Sequence, residues 1–536
     1  MLVHDFLELN AINRPDKTAL ICGTQRLTYA QLDRMANRLG NALRETGIRR
    51  GDRVAIYLNN SLEAVVALFA VLKAGAIFVL INRSTKTNKL IFILNHCRAS
   101  AVLIDRRAST QGIGEHLLAR VDFLRNLIIC GDPRVAAAPP PQSPNHAVSA
   151  SISSPSPADL SMGANTRCLD YTAIQSDSSP QKPTAENIDL DTACLIYTSG
   201  TTGEPKGVVC DHSNMVFVTD AIVQYLKNTE LDIVLNVLPL AFSYGLYQLM
   251  AMFRVGGTLV LEESFAFPSI VLQKLSDEKV TGFAGVPTLY SILLGMKLEN
   301  LDLSSLRYLS NAAAALPIEH VRRLRQTFPN AEIYLMHGLT EVARTMYLPP
   351  DQVDLHPDSS GIPLPGTELW LEDEAGHRLG PGEVGELIVR GRHVMRGYWE
   401  NPKLTDQRFP PGPQQGERVC HSGDLFRTDD HGFYYFVSRK DDMIKSRGEK
   451  IAPREVENVI YAIRGVREVA VVGVPDPILG QAVKAFIAAA DPALTETDVI
   501  AHCRAHLEEF MLPRHVVFRD ELPKTGSGKI RKVDLI

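Results

Sequence analysis

Tyr197-Thr-Ser-Gly-Thr-Thr-Gly-Glu-Pro-Lys-Gly207 follows directly on the apolar run Ala193-Cys-Leu-Ile196. A strand feeding such a loop presents several donors to a polyphosphate: backbone N–H groups, the hydroxyls of Thr198, Ser199, Thr201 and Thr202, and the cation of Lys206. Gly200 and Gly203 leave the backbone room to approach a ligand closely. No Gly-Lys in the chain is followed by Ser or Thr, so the loop is not a Walker A loop, and a P-loop kinase or GTPase reading loses its basis. An ordinary flexible turn shares this composition. The density of donors, with Lys206 just ahead of Val208-Val209, favours phosphate binding.

Outward from this loop, the chain fits a large enzyme. Its 536 residues exceed what one core usually carries, so two or more domains are expected. An apolar fraction of 45% supplies sizeable cores, and a net charge of −5 argues against nucleic acid or a polybasic membrane role. The eight cysteines are scattered without a C-x-x-C, which suggests neither a zinc site nor a disulfide framework. The start, Met1-Leu-Val-His-Asp-Phe-Leu-Glu-Leu9, lacks the basic, apolar and small-residue zones of a signal peptide. Leu62 to Leu80 is the nearest approach to a spanning stretch, and Lys73 and Gly75 break it. A cytoplasmic protein is expected.

Helix and strand signals alternate. Thr28 is placed to cap a helix with Leu32, Met35, Leu39 and Leu43 on one face, and the strand Val54–Leu58 follows. A helix from Leu62 to Leu72 and a strand from Ile77 to Ile81 repeat the pattern, which implies an α/β fold with parallel sheets covered by helices. Arg134 to Asn187 interrupts it with Pro139-Pro-Pro141, a serine-rich run and few aromatics, and reads as a mobile surface insertion. After Pro453 the rhythm resumes: a helix with Val456, Val459 and Ile460 inward, strands at Val469–Val474 and Ala485–Ala488, and a helix from Thr495 to Leu507.

Three further clusters carry chemistry. Met336-His-Gly-Leu-Thr-Glu341 sets a hydroxyl beside a carboxylate, residues that also commonly end a strand and cap a helix. His421-Ser-Gly-Asp424 offers a carboxylate suited to accept from vicinal ribose hydroxyls, and Arg439-Lys-Asp441 lies in a charged run of the kind that joins two domains. Leu522-Pro-Lys-Thr-Gly-Ser-Gly-Lys529 ends the series with a lysine beside glycines.

These four stretches, in this order, resemble the signature motifs of the adenylate-forming superfamily: acyl-CoA synthetases, nonribosomal peptide synthetase adenylation domains and beetle luciferases. The resemblance implies a multi-domain α/β protein. A large domain, 1–440, would hold two helix-flanked sheets and a small β-barrel, and a small mobile α+β domain would span 441–536. It implies that the Thr198–Gly203 loop and Lys206 bind phosphates, and that His337 and Gly338 lie at adenine, with His337 where the family carries Tyr. Thr340 would contact the α-phosphate, Glu341 would hold Mg²⁺, and Asp424 and Arg439 would bind the ribose and phosphates. Asp441 would be the hinge, Gly448 would line the pantetheine tunnel, and Lys529 would be the catalytic lysine that bridges the carboxylate and the α-phosphate. ATP, Mg²⁺ and CoA are the implied cofactors, with a carrier protein's phosphopantetheine as the alternative acceptor.

The resemblance also places the acyl pocket along Phe242, Ser243, Tyr244 and Gly245, at Val286, and along Asn311, Ala312 and Ala313. Adenylation domains for α-amino acids carry an Asp in the first of these segments, and here it has none. Burying an unpaired ammonium is costly, so a fatty or aryl carboxylate is favoured. Ala312 and Ala313 stand where glycines are frequent and should narrow the slot.

Overall fold

The computed structural model describes every residue except 132–165, 200–203, 447–448, 477–478, 526–527 and 536. The chain divides into two compact units. One comprises Met1–Asp232, Pro239–Ser264 and Met395–Pro402; the other comprises Ile233–Leu238, Phe265–Val394 and Lys403–Ile536.

The first unit is built on a seven-stranded sheet. Its strands run in the order Arg167–Asp170, Asn126–Cys130, Ala99–Asp105, Arg53–Tyr57, Ile77–Leu80, Thr192–Ser199 and Pro205–Asp211, parallel throughout until the last pair, which is antiparallel. The near-continuous apolar strands fit a sheet covered on both faces. Thr28 caps the helix Tyr29–Glu45 as expected, in a reciprocal capping box with Gln31, and Leu32, Leu39 and Leu43 are buried. The helix Leu62–Lys73 is buried along nearly its whole length and ends in a charged cluster. There the Lys73 ammonium, on a side chain 1% exposed, lies 2.7 Å from Asp33, 2.9 Å from Glu8 and 2.7 Å from the Asn37 carbonyl oxygen.

The structure corrects the reach of the insertion expected over 134–187. Residues 132–165 lie outside the described residues, but Arg167–Asp170 is a strand of the sheet and Tyr171–Asp177 is a helix. Asp170 caps that helix by accepting from the N–H groups of Thr172 and Ala173, while Tyr171 and Ile174 are buried. Composition averaged over the whole stretch concealed this short apolar patch behind its serines and prolines.

In the second unit the strands Ile233–Asn236, Gly282–Gly285, Tyr308–Asn311 and Glu332–His337 pair in parallel, and Met346–Leu348 and Ile362–Pro363 add antiparallel strands beyond them. The small all-β part is an antiparallel meander of Glu368–Glu372, Val384–Arg390, Cys420–Thr428 and Tyr434–Arg439. Past it, Val466–Asp476 and Gly480–Ala489 form a long antiparallel pair with His515–Phe518 parallel at its side. The helices Pro453–Tyr461 and Glu496–His506 bury Val456, Ile460, Val499 and Cys503 in a core with Val471 and Ile487.

Candidate active site

In the first unit the phosphate-loop stretch is rooted in an antiparallel ladder. Thr198 pairs with Lys206 and Ser199 with Pro205, so the ladder holds both roots of the loop. Gly200, Thr201, Thr202 and Gly203 lie outside the described residues. The Tyr197 phenol is committed elsewhere: its oxygen is 2.7 Å from His96 Nδ1, and its ring covers Gly207, where a Cβ would lie 3.0 Å from the ring. Of the expected acyl-pocket residues in this unit, Phe242 and Ser243 are half-buried at the start of the helix Ser243–Val255. Tyr244 and Gly245 are buried in that helix with Leu246 and Tyr247.

In the second unit the parallel strands end at the other expected residues. Asn311 closes the strand Tyr308–Asn311 and donates to the Ala314 carbonyl at 2.9 Å, and its own side-chain oxygen is buried without a hydrogen bond. Ala312 is buried, and Ala313 is held in the left-handed region at φ 74°. That conformation gives a backbone reason for glycine at this place, since a Cβ there is strained. Ala313→Gly is therefore expected to raise stability by about 0.5–1 kcal/mol, the relieved strain being partly offset by a freer unfolded chain. A urea midpoint lower than that of the unsubstituted protein would show instead that the methyl's packing outweighs the strain.

The strand Glu332–His337 delivers the next cluster. After His337 the chain makes a tight turn and returns at Thr345, whose N–H donates to the His337 carbonyl at 3.0 Å. Gly338 permits this closure: a Cβ there would lie 2.4 Å from the Ala343 carbonyl oxygen. Thr340 and Glu341 sit in the turn, both half-buried.

Facing it from the meander is Asp424, whose side chain is 3% exposed. Its Oδ2 is 3.2 Å from His337 Nε2. Its Oδ1 is 3.2 Å from Arg439 Nε, but the approach lacks hydrogen-bond alignment and that buried oxygen accepts no bond. Burial alone would push the Asp424 carboxyl up; the His337 imidazole beside it, then Arg439 and Arg408, hold it below the usual range. Phe426 meets the His337 ring edge-on at 5.1 Å, and Phe436 stacks beyond it at 6.2 Å.

Lys529 belongs to the same neighbourhood. The Gly528 carbonyl accepts from Thr288 Oγ1 at 3.4 Å, and a Cβ on Gly528 would lie 3.2 Å from Val286. The Lys529 ammonium is lowered by desolvation first and by Arg439, while Asp424 and Glu341 act the other way. The residue is exposed, so water screens these influences. The structure thus brings Val286, His337, Glu341, Asp424, Arg439 and Lys529 into one region of the second unit. Asp441 is exposed in the turn after Arg439, and Gly448 lies outside the described residues. Thr345 escaped the sequence reading, and Phe426 and Phe436 were given no role in it; a hydroxyl or ring reached only through the fold leaves no local signal.

A family model described as AMP-binding enzyme matches residues 7–399, and one described as AMP-binding enzyme C-terminal domain matches residues 455–529. A long-chain-fatty-acid–CoA ligase of Salmonella typhimurium is 32% identical over 99% of this chain and 93% of its own length. A feruloyl-CoA synthase of an Amycolatopsis species is 34% identical over 97% of this chain and 95% of its own. Among solved structures, the anthranilate CoA ligase AuaEII in complex with anthranoyl-AMP superposes with a TM-score of 0.87 at 29% identity, covering all of this chain and 96% of that one.

Proposed function

The chain belongs to the AMP-binding enzyme family, and from that membership we propose that it activates a fatty or aryl carboxylic acid with ATP and transfers the acyl group to CoA. The observation that carries the proposal is the convergence of Glu341, Asp424, Arg439 and Lys529 in one region. A carboxylate oxygen of the acid attacks the α-phosphorus, the bond to the β-phosphate bridging oxygen breaks, and pyrophosphate leaves. The CoA thiol then loses its proton and attacks the acyl carbonyl, and AMP departs as the leaving group.

Each group has a role suited to its surroundings. The Thr198–Gly203 loop and Lys206 hold the outgoing phosphates, and Asp424 with Arg439 takes the ribose. Thr340 orients the α-phosphate, and Lys529 offsets the negative charge carried by the oxygens of the five-coordinate phosphorus. Among the described residues no group of three or more His, Cys, Asp or Glu could enclose a metal. A magnesium ion held by one carboxylate and the substrate phosphates suits that setting, and Glu341 is the carboxylate we assign to it. When bound, the ion supplies charge neutralisation at the phosphates.

We take residues 441–536 as the mobile small domain, with Asp441 as its hinge and the Gly448 segment at the pantetheine arm. CoA is the acceptor because the matched relatives are CoA ligases and synthases. No described helix is long and apolar enough to cross a membrane, and we place the reaction in the cytoplasm.

Acid-dependent exchange of labelled pyrophosphate into ATP, run across fatty, aromatic and amino acids, tests the proposal. Exchange is expected with fatty or aryl acids, and CoA should then yield a thioester with AMP as co-product. Release of ADP and phosphate would exclude the mechanism. Faster exchange with an amino acid than with every fatty or aromatic acid would exclude the substrate class.

A further inference from the structure

Where the family resemblance expects an aromatic ring lying on adenine, the edge of the His337 ring is committed at both nitrogens. Nε2 is 3.2 Å from Asp424 Oδ2, and Nδ1 is 2.8 Å from Thr345 Oγ1. An ionised carboxylate only accepts, so the Nε2 edge is the side that meets Asp424, while the Thr345 hydroxyl beside Nδ1 also donates to the His337 carbonyl at 3.2 Å. The threonine that fixes the ring is also the residue whose N–H closes the turn on the His337 carbonyl. Phe426 and Phe436 pack around the same ring. Of the two oxygens of Asp424, Oδ2 faces the imidazole edge, and Oδ1, 3.2 Å from Arg439 Nε, is buried with no hydrogen bond. A tyrosine phenol extends beyond the ring and has no second edge atom to fix, so this chain of contacts is peculiar to histidine here.

We propose that His337 is a positioning residue for the ribose of the nucleotide: it holds Oδ2 of Asp424 and leaves Oδ1 as the oxygen that accepts from the ribose. This rests on the reading of Asp424 as the ribose acceptor. It moves the main contribution of residue 337 from the face of its ring to its edge. The lowered carboxyl of Asp424 agrees, since His337 is foremost among the groups that offset its burial.

The test compares binding of AMP, 2′-deoxy-AMP and 3′-deoxy-AMP, by calorimetry, to four forms of the full chain: unsubstituted, His337→Phe, His337→Gln and Asp424→Asn. His337→Phe keeps an aromatic face and removes the donor; His337→Gln keeps a donor and removes the ring. The unsubstituted protein should disfavour at least one deoxy nucleotide by roughly tenfold or more, as loss of a hydrogen bond to a charged group does. His337→Phe should bind AMP more weakly and shrink that discrimination to about twofold, and His337→Gln should retain most of it. If His337→Phe keeps both affinity and discrimination while His337→Gln loses affinity for all three nucleotides, the ring serves as an adenine platform and the proposal is wrong. Discrimination lost in Asp424→Asn but intact in His337→Phe overturns the positioning role alone. Discrimination intact in Asp424→Asn overturns the assignment of Asp424 itself.

Discussion

Lys529→Ala is expected to slow acid-dependent pyrophosphate exchange by roughly a hundredfold or more, the scale of losing one preorganised donor to transition-state charge. The lysine follows Gly528, whose carbonyl is met by Thr288, and it feels Asp424, Glu341 and Arg439. An ammonium among these groups is placed to meet charge developing on phosphorus. Thioester formation from supplied acyl-AMP and CoA needs no such charge at that moment, so it should be much less affected. Measuring both half-reactions on the same preparation decides the matter. Equal loss in both steps would mean that the lysine supports the fold or the thiol step, and its assignment to adenylation would fall.

Gly338→Ala is the second large effect. The added Cβ would sit 2.4 Å from the Ala343 carbonyl oxygen and 3.0 Å from the Arg344 Cα. Both are backbone atoms, so no side-chain rotation relieves the clash. The turn must open, and Thr340 and Glu341, which it carries, must move with it. A loss of about 1–3 kcal/mol in stability is expected from the overpacking. Pyrophosphate exchange should fall further than that loss explains, by at least roughly tenfold, because a displacement near 1 Å disrupts a reactive geometry. A denaturant midpoint and an exchange rate both matching those of the unsubstituted protein would show that the turn has slack that the structure does not reveal.

Much of the scaffold was legible because its signals are local. Thr28 caps its helix through a reciprocal box as its residue type suggests, and Thr495, read as the first residue of a helix, proves to be the cap of Glu496–His506. The strands at Val469–Val474 and Ala485–Ala488 were visible as short apolar runs and proved longer, Val466–Asp476 and Gly480–Ala489, because pairing extends beyond the apolar centre. The strand and helix over Arg167–Asp177 were missed because their few apolar residues are diluted by neighbours of opposite character.

The site divides in the same way. The carboxylates and lysines were marked by the resemblance of their motifs, but their partners were not. His337 meets Asp424 only because the meander faces the end of a parallel strand, and Thr345 meets His337 only because the intervening turn closes. Periodicity reports which face of an element is buried, not which edge of a ring finds which oxygen. The commitment of Tyr197 to His96 was hidden for that reason, and the phenol belongs to the support at the root of the loop.

The cluster around Lys73 bears on how this chain tolerates being cut. Its ammonium is sealed at the end of a buried helix, and one of its two carboxylates, Glu8, comes from the helix Asp5–Asn13. Lys182, from a distant stretch of chain, leans on that same glutamate at 2.6 Å. Trimming or proteolytic loss of the N-terminal helix would leave Asp33 as the only carboxylate among the described residues on this buried cation, and taking a partner from an interior charge is far more harmful than losing a surface pair. The first turns of the chain thus act as an electrical plug for a core laid down by residues far downstream. An affinity handle or truncation series that intrudes on Glu8 would compromise that interior before it touched any chemistry.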